Sequence, residues 1–364
     1  MNRRSLIIGG AAAAAVGGGV AASLSQMGSA TGYQRAISVQ RAPLGSGRNA
    51  REAIRFATLA ANGHNTQPWR FRIAGQAIHI APDLSRRTPA VDPDDHHLYV
   101  SLGCAAENLA LAANAGGLAG EMRFDPSGDG AVIYEYRAGD ERPSILCDAI
   151  PHRQSTRAEY DGRLVSATDL AQLESASAAS GVDLILMTDR RQIDRVRDLV
   201  VTGNTMQMAD RAFMIELKSW MRFNARAALA HGDGLFSASS GNPTLPTWVG
   251  RPLFDLAFQS KGENEKYARH IASSAGLAVF LGARAEPTQW LAVGRACQRF
   301  ALQATALGMK LAFINQPVEV AGLRPELAAL VGMPGRRPDI VMRFGYGKAL
   351  PMSPRRPVDA VIDS

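Results

Sequence analysis

The chain reads as an α+β protein of two fused, related halves, each a central, mainly antiparallel sheet surrounded by helices. Two observations predict this: a segment repeated at constant offset, and matching strand-like runs after each copy. Residues 99–118 and 290–309 share Gly103/Gly294, Ala105/Ala296, Ala110-Leu111/Ala301-Leu302, Ala113/Ala304, Ala115/Ala306 and Gly117/Gly308 in one register, 294 − 103 = 308 − 117 = 191. Both copies read as helices with a stripe of small residues, which permits close helix–helix approach. Each ends at a glycine able to take the left-handed conformation that terminates a helix. Residues 121–124 and 310–314, then 131–137 and 339–344, are rich in β-branched and aromatic residues and read as the strands that follow.

The halves open differently. In the first, a helical pattern over 48–61 leads into Asn62-Gly63-His64-Asn65-Thr66-Gln67-Pro68-Trp69, and strands are predicted at 70–74 and 77–81. The second begins with His152-Arg153-Gln154-Ser155-Thr156-Arg157, a helix over 168–178, a strand over 182–188 and a long helix from near Arg191. A Gly-, Pro- and aromatic-rich insertion over 229–262 has the character of a lid. The division is therefore 1–30 leader, 31–148 first half and 149–364 second half.

Composition excludes several classes. Of 364 residues 46% are hydrophobic and 20% charged, enough to bury a sizeable core. The net charge of +7 is dispersed in pairs such as Arg86-Arg87, Arg190-Arg191 and Arg336-Arg337, without the basic stripe that nucleic-acid binding requires. Cys104, Cys147 and Cys297 include no CxxC pair, which argues against a disulfide framework or thiolate metal site. Gly45-Ser46-Gly47-Arg48-Asn49-Ala50 fits a dinucleotide fingerprint only on paper, because no strand precedes it. It reads instead as a loop leading into the helix near Asn49. Asp92-Pro93-Asp94-Asp95-His96-His97 looks like a metal cluster, but acids before a helix are equally its cap; no metal ligand is assigned.

At the N-terminus, Arg3-Arg4-Ser5-Leu6-Ile7 precedes an apolar run to about Leu24 and small residues at Gly28-Ser29-Ala30. This is a secretory leader of the twin-arginine type, implying export to the periplasm or beyond. An uncleaved anchor is the alternative. No stable membrane span is expected in the mature chain.

Asn65-x-Gln67-Pro68-Trp69 after an Ala-rich helix and Arg153-x-Ser155-x-Arg157 at the head of another resemble the SxNxQPW and RRSxR motifs of the nitroreductase family. The ending, Gly345-Tyr346-Gly347 and then Ser353-Pro354-Arg355-Arg356-Pro357, also fits. With the leader and the repeat, the chain is most similar to the Acg-type branch, over about residues 48–362. The resemblance implies a nitroreductase-like fold, FMN as cofactor, and flavin-mediated hydride or electron transfer to nitro- or quinone-like aromatic acceptors, with a nicotinamide donor. Members are usually homodimers with each FMN at the subunit interface. Here two halves reproduce that dimer within one chain, a monomeric pseudo-dimer. Only one motif set is complete, so one flavin per chain is expected: the first half has no RRSxR at its start and the second has no QPW.

Implied cofactor contacts are Arg153, Ser155 and Arg157 with Arg355 and Arg356 at the phosphate. His64, Asn65 and Gln67 belong to the opposite loop, and Asn315 and Gln316 lie near the reactive edge, where a backbone N–H can hold the flavin N5. The residue chemistry agrees. A phosphate monoester carries about −1.5 to −2 charge at pH 7, and arginine meets it with paired donors. For Asn65 and Gln67 a second role stays open, since a loop Asn and a pre-proline Gln also stabilise turns. The cofactor carries the hydride chemistry, so no catalytic side chain is named. A non-catalytic FMN-sequestering protein, its lid over the flavin, is the alternative. An exported protein would have no access to soluble NAD(P)H, which counts against the ordinary reaction.

Overall fold

The computed structural model describes residues 27–363, so the predicted leader lies outside the described residues apart from its last four positions. In chain order the elements are α1 (Ala30–Gln40), α2 (Ala50–Thr58), β1 (Trp69–Ala74), β2 (Ala77–Pro82), α3 (His96–Ala115), β3 (Leu118–Asp125), β4 (Ala131–Ala138), α4 (Ile145–Ala149), α5 (Ala167–Ser177), β5 (Val182–Met187), α6 (Arg190–Ala209), α7 (Arg211–Trp220), β6 (Met221–Arg222), α8 (Ala225–His231), β7 (Leu235–Phe236), α9 (Thr247–Ala257), α10 (Ser260–Ala272), β8 (Gly276–Gly282), α11 (Pro287–Ala306), β9 (Lys310–Phe313), α12 (Gln316–Glu319), α13 (Arg324–Leu330) and β10 (Ile340–Gly345). The class is α+β.

Two four-stranded sheets carry the chain, ordered β1-β2-β4-β3 and β5-β8-β10-β9, and every adjacent pair in them is antiparallel. Each places its strands in the order first, second, fourth, third, with a long helix between its second and third strands. The helices are α3 and α11, the repeated segments. Strand β8, Gly276-Leu-Ala-Val-Phe-Leu-Gly282, is buried at every position. It shows no alternation because it is covered on both faces, and a short uniform apolar run does not distinguish strand from helix.

Local chemistry fixes several boundaries. Asn49 caps α2 by accepting from the N–H groups of Arg51 and Glu52. The Asp92 carboxylate accepts from His97 N (3.0 Å) and Leu98 N (2.9 Å), tying down the first turn of α3. The chain end crosses back to the first half: Phe71 N donates to Val361 O and Asp363 N to Phe71 O, both at 2.7 Å, so the tail pairs with the edge of β1.

The two long helices that follow β2 and β8 meet where α3 crosses α11. A Cβ placed on Gly103 would collide with the Leu291 carbonyl oxygen and lie 3.0 Å from Gly294 Cα; one on Gly294 would meet the Val100 carbonyl and lie 2.9 Å from Gly103 Cα. The small-residue stripe thus buries backbone against backbone. Beside it Cys104 Sγ donates to Gly294 O (3.2 Å) and lies 3.9 Å from Cys297 Sγ, both free thiols in the core. Burying so close a crossing leaves no room for a side chain, and overpacked cores lose about 1–3 kcal/mol. Gly103→Val is therefore expected to lower the unfolding free energy, read from urea denaturation, by at least that much. Gly262→Ala, in an open helical position, is expected to match or exceed the parent.

Candidate active site

One cavity of about 220 Å³ lies between the halves and beneath the insertion. The loop after α2 contributes Asn62, Gly63 and His64, and α3 contributes His97, Val100, Ser101 and Cys104. From the second half come Ser155 and Arg157, the Lys266-Tyr267-His270 face of α10, and Asn315, Gln316 and Glu319 after β9. The insertion closes it with Leu235, Ser240, Asn242 and Phe258, next to Met221 of β6.

The cavity is polarised. At one end Arg157 projects with no side-chain hydrogen bond or ion pair to any described residue, beside Ser155, and burial lowers its pKa. Lys266 stands near it, donating to Asn242 Oδ1 at 2.9 Å. Tyr267 sits between Arg157 and Glu319; burial pushes its phenol up to about 12. His64 feels both Arg157 and His97, and burial holds its pKa down near 4. At the other end the Glu319 Oε1 lies 4.0 Å from His97 Nδ1, and Glu319 Oε2 accepts from Gln207 Nε2 at 2.6 Å. Burial raises the Glu319 pKa, and burial with His96 lowers that of His97. Two buried atoms of the wall lack a protein partner, His64 Nδ1 and Gln316 Oε1.

Five of the ten residues read from the sequence line this cavity: His64, Ser155, Arg157, Asn315 and Gln316. The other five spend their side chains elsewhere. Asn65 donates to Gly234 O and Pro354 O and accepts from Arg355; Gln67 donates to Gly232 O and accepts from Arg356 N. The turn-stabilising role left open for this pair is thus present. His64, Asn65 and Gln67 all have positive φ (46°, 55° and 54°), a conformation that side chains resist. Those hydrogen bonds hold the strained loop in place.

The buried arginines answer to a helix end. Arg355 Nε donates to Thr58 O (2.7 Å) and its Nη2 to Leu59 O and Ala60 O, while Arg153 Nη2 also donates to Leu59 O (2.7 Å). Thr58 closes α2, where carbonyls without helical partners and the negative end of the dipole favour cations. Arg356, its side chain only 13% exposed, donates to Ala360 O, with Asp83 at 3.7 Å. Phosphate contact by Arg355 thus competes with donors already committed, whereas Arg153 Nε and Arg356 Nη1 are buried without a hydrogen-bond partner.

Sequence reasoning missed Lys266, Tyr267 and His270. Their i, i+1, i+4 spacing on one helix face was the available signal. It also passed over Glu319, and it weighed His97 only within the metal cluster. Asp92, His96 and His97 do offer ligand atoms within 4.8 Å of one another. However, the Asp92 carboxylate caps α3, and His96 Nε2 lies 2.9 Å from Asp339 Oδ1.

Two outcomes follow from this geometry. Arg355→Met leaves several buried carbonyls and the Asn65 amide oxygen without a donor, at about 1–3 kcal/mol for each group that water cannot reach. A loss of about 2 kcal/mol or more in the unfolding free energy, read from urea denaturation, is expected. His64 titrates near 4 in the folded chain and about 6.5 unfolded. The unfolded state then binds more protons between those values, so this stability is complete above about pH 6.5 and is lost as pH falls toward 4. Flavin-free wild type and His64→Gln, unfolded across that window, should differ by an amount that changes with pH in this sense. A constant difference would count against it.

No family model matches the chain. A curated Mycobacterium tuberculosis H37Rv protein, Rv3131, provisionally named an NAD(P)H nitroreductase, is 26% identical over 328 residues, covering 86% of this chain and 90% of the relative. The provisionally named NAD(P)H nitroreductase acg of the same organism is 23% identical over 326 residues, 85% of this chain and 94% of the relative. Among solved structures, the NADPH:FMN oxidoreductase of Vibrio harveyi complexed with NAD+ aligns with TM-score 0.38 and 13% identity, covering 61% of this chain and 77% of that one. The FMN-dependent nitroreductase NfnB of Mycobacterium smegmatis, in complex with NADPH, aligns with TM-score 0.37 and 12% identity, covering 56% and 88%. The likeness to the nitroreductase family read from two short motifs, Acg-type proteins included, thus extends over some 85% of the chain.

Proposed function

We propose that this protein is an FMN-dependent oxidoreductase of the nitroreductase type, passing electrons through a flavin from a nicotinamide donor to nitro- or quinone-like aromatic acceptors. The observation that carries it is the convergence in one cavity of Arg157, Ser155 and Lys266 with the partnerless His64 Nδ1 and Gln316 Oε1. An uncommitted guanidinium in a buried wall suits a phosphate dianion, and the orphaned ring nitrogen and amide oxygen suit the polar edges of a flavin. The names of the curated relatives point the same way.

Arg157 and Lys266 hold the phosphate, with Ser155 as a neutral donor. His64 and Gln316 fix the polar groups toward the middle of the cavity. The insertion excludes water: Asp233 pairs with Arg222 (2.6 Å) and with Arg86, and Gly234 N donates to Asn65 O at 3.1 Å. When bound, the flavin supplies hydride and electron transfer. We further propose one flavin per chain, a duplication as the origin of the two similarly ordered sheets, and export of the folded protein through the Arg3-Arg4 leader.

Purified protein is expected to show flavin absorption bands, to be bleached by NADPH and to recover colour on adding a nitroaromatic acceptor. Arg157→Ala removes charge-assisted bonds of about 1.5–3 kcal/mol, a roughly ten- to hundredfold rise in the FMN dissociation constant. Tight FMN binding by this variant, or a parent that ignores added FMN, would refute the reading.

A further inference from the structure

We propose that Glu319 is the proton donor to acceptors reduced in this cavity, with His97 as the positioning residue that returns its proton. The inference rests on the flavin reading and adds a chemical step to it. Reducing a quinone to a hydroquinone takes two electrons and two protons. One proton travels with the hydride; the other must come from a donor at the second oxygen. In the proposed step the O–H bond of the Glu319 carboxyl breaks and an O–H bond to that acceptor oxygen forms. The carboxylate then takes a proton from water by way of His97.

Placement selects this residue. Glu319 lines the cavity together with the apolar Met208, Phe213 and Leu217, which suit an aromatic acceptor, and neither Arg157 nor Lys266 is among the charges that act on its carboxyl. Its side chain is only 19% exposed, and no described lysine or arginine lies in ion-pair range; its one charged-type partner is His97 Nδ1 at 4.0 Å. A carboxyl so enclosed, without a cation, favours its protonated form. The groups facing it reinforce this. Asp92, before α3, and Glu216, on α7, repel a negative charge there; His97 from α3 and Gln207 from α6 oppose them, and Tyr267 from α10 also lies near. Gln207 Nε2 holds Oε2 at 2.6 Å, so the carboxyl is oriented with Oε1 toward His97. His97 is itself steadied, its Nε2 being 3.4 Å from the Asp339 carbonyl. A positioned acid with its own route to a second titratable group is the arrangement general acid catalysis requires.

The test compares two acceptors on FMN-loaded protein. Ferricyanide takes electrons alone, whereas 1,4-benzoquinone also needs protons. Glu319→Gln is expected to slow benzoquinone reduction by about a hundredfold, as loss of a general acid does, and to leave ferricyanide reduction within about twofold. Glu319→Asp should restore part of the quinone rate. The parent's quinone rate should fall as pH rises through the carboxyl's titration, and that dependence should vanish in Glu319→Gln. Independently of turnover, infrared spectra at neutral pH should show the carbonyl stretch of a protonated carboxyl that Glu319→Gln lacks. Equal losses with both acceptors, an unchanged quinone rate, or no such infrared band would each overturn the proposal. A parent that binds no FMN and reduces neither acceptor would sink the flavin reading and this step with it. An FMN-loaded variant with the parent's quinone rate would sink this step alone.

Discussion

The architecture depends on one contact, the crossing of α3 and α11 at Gly103 and Gly294. Backbone oxygens there occupy the space that side chains would need, so the helices approach as closely as their backbones allow. Polar groups along the crossing pair across it: Glu107 with Arg295 and Arg299, and Asn108 with Gln298. These bonds prevent the helices from sliding, because any shift would strand buried polar groups. The face of α3 one to two turns before and beside the crossing, from His97 to Cys104, then becomes a wall of the cavity. Contact between halves and position of the site are one constraint.

A second consequence concerns the Asn62–Trp69 loop. Its left-handed residues store strain, and a strained loop persists only when its surroundings over-determine it. Asn65 and Gln67 supply that determination by gripping Gly232, Gly234, Pro354 and Arg356, segments of the insertion and the tail. In this chain the two amides act at one remove from the cavity. They turn His64 inward and fasten the insertion across the opening. The motif is legible because the fold needs its geometry, even where its side chains do not face the ligand.

This separates what the sequence could disclose from what it could not. The 191-residue offset located α3 and α11, and the caps at Asn49 and Asp92 were visible because capping chemistry is local. The downstream strands followed from β-branched runs. Strand β8 was not visible, since burial on both faces erases alternation. Nor was the direction of Arg153 and Arg355. The family resemblance implied that both meet one phosphate, but the free carbonyls at the end of α2, nearly a hundred residues from one and three hundred from the other, decide where the guanidinium groups turn. The pairing of the tail with β1 and the approach of α10 are likewise long-range facts. Lys266 reaches the site because α10 packs along α6, which sets it near Arg157.

The polarity of the cavity limits how any ligand can lie in it. Arg157 stands near Lys266, which also pairs with Glu263 at 3.9 Å; Glu319, among Asp92 and Glu216, makes its own surroundings hostile to a second anion. An anionic molecule with an aromatic body can therefore enter with its charge toward Arg157 and its ring toward the apolar wall, and the reverse orientation would face like charge in a medium of low dielectric. Burial lowers the pKa of both His64 and His97, which weakens them as competitors with Arg157 for an anion. The insertion makes this selectivity count. Asp233, shared by Arg222 and Arg86, joins the covering segment to the first half, and removing one partner of such a buried pair leaves a charge that the interior cannot solvate. The cover is thus held by charges that neutralise one another, while the cavity beneath retains Arg157, which pairs with no described acid, for its ligand; Lys266 shares its charge with Glu263 at 3.9 Å.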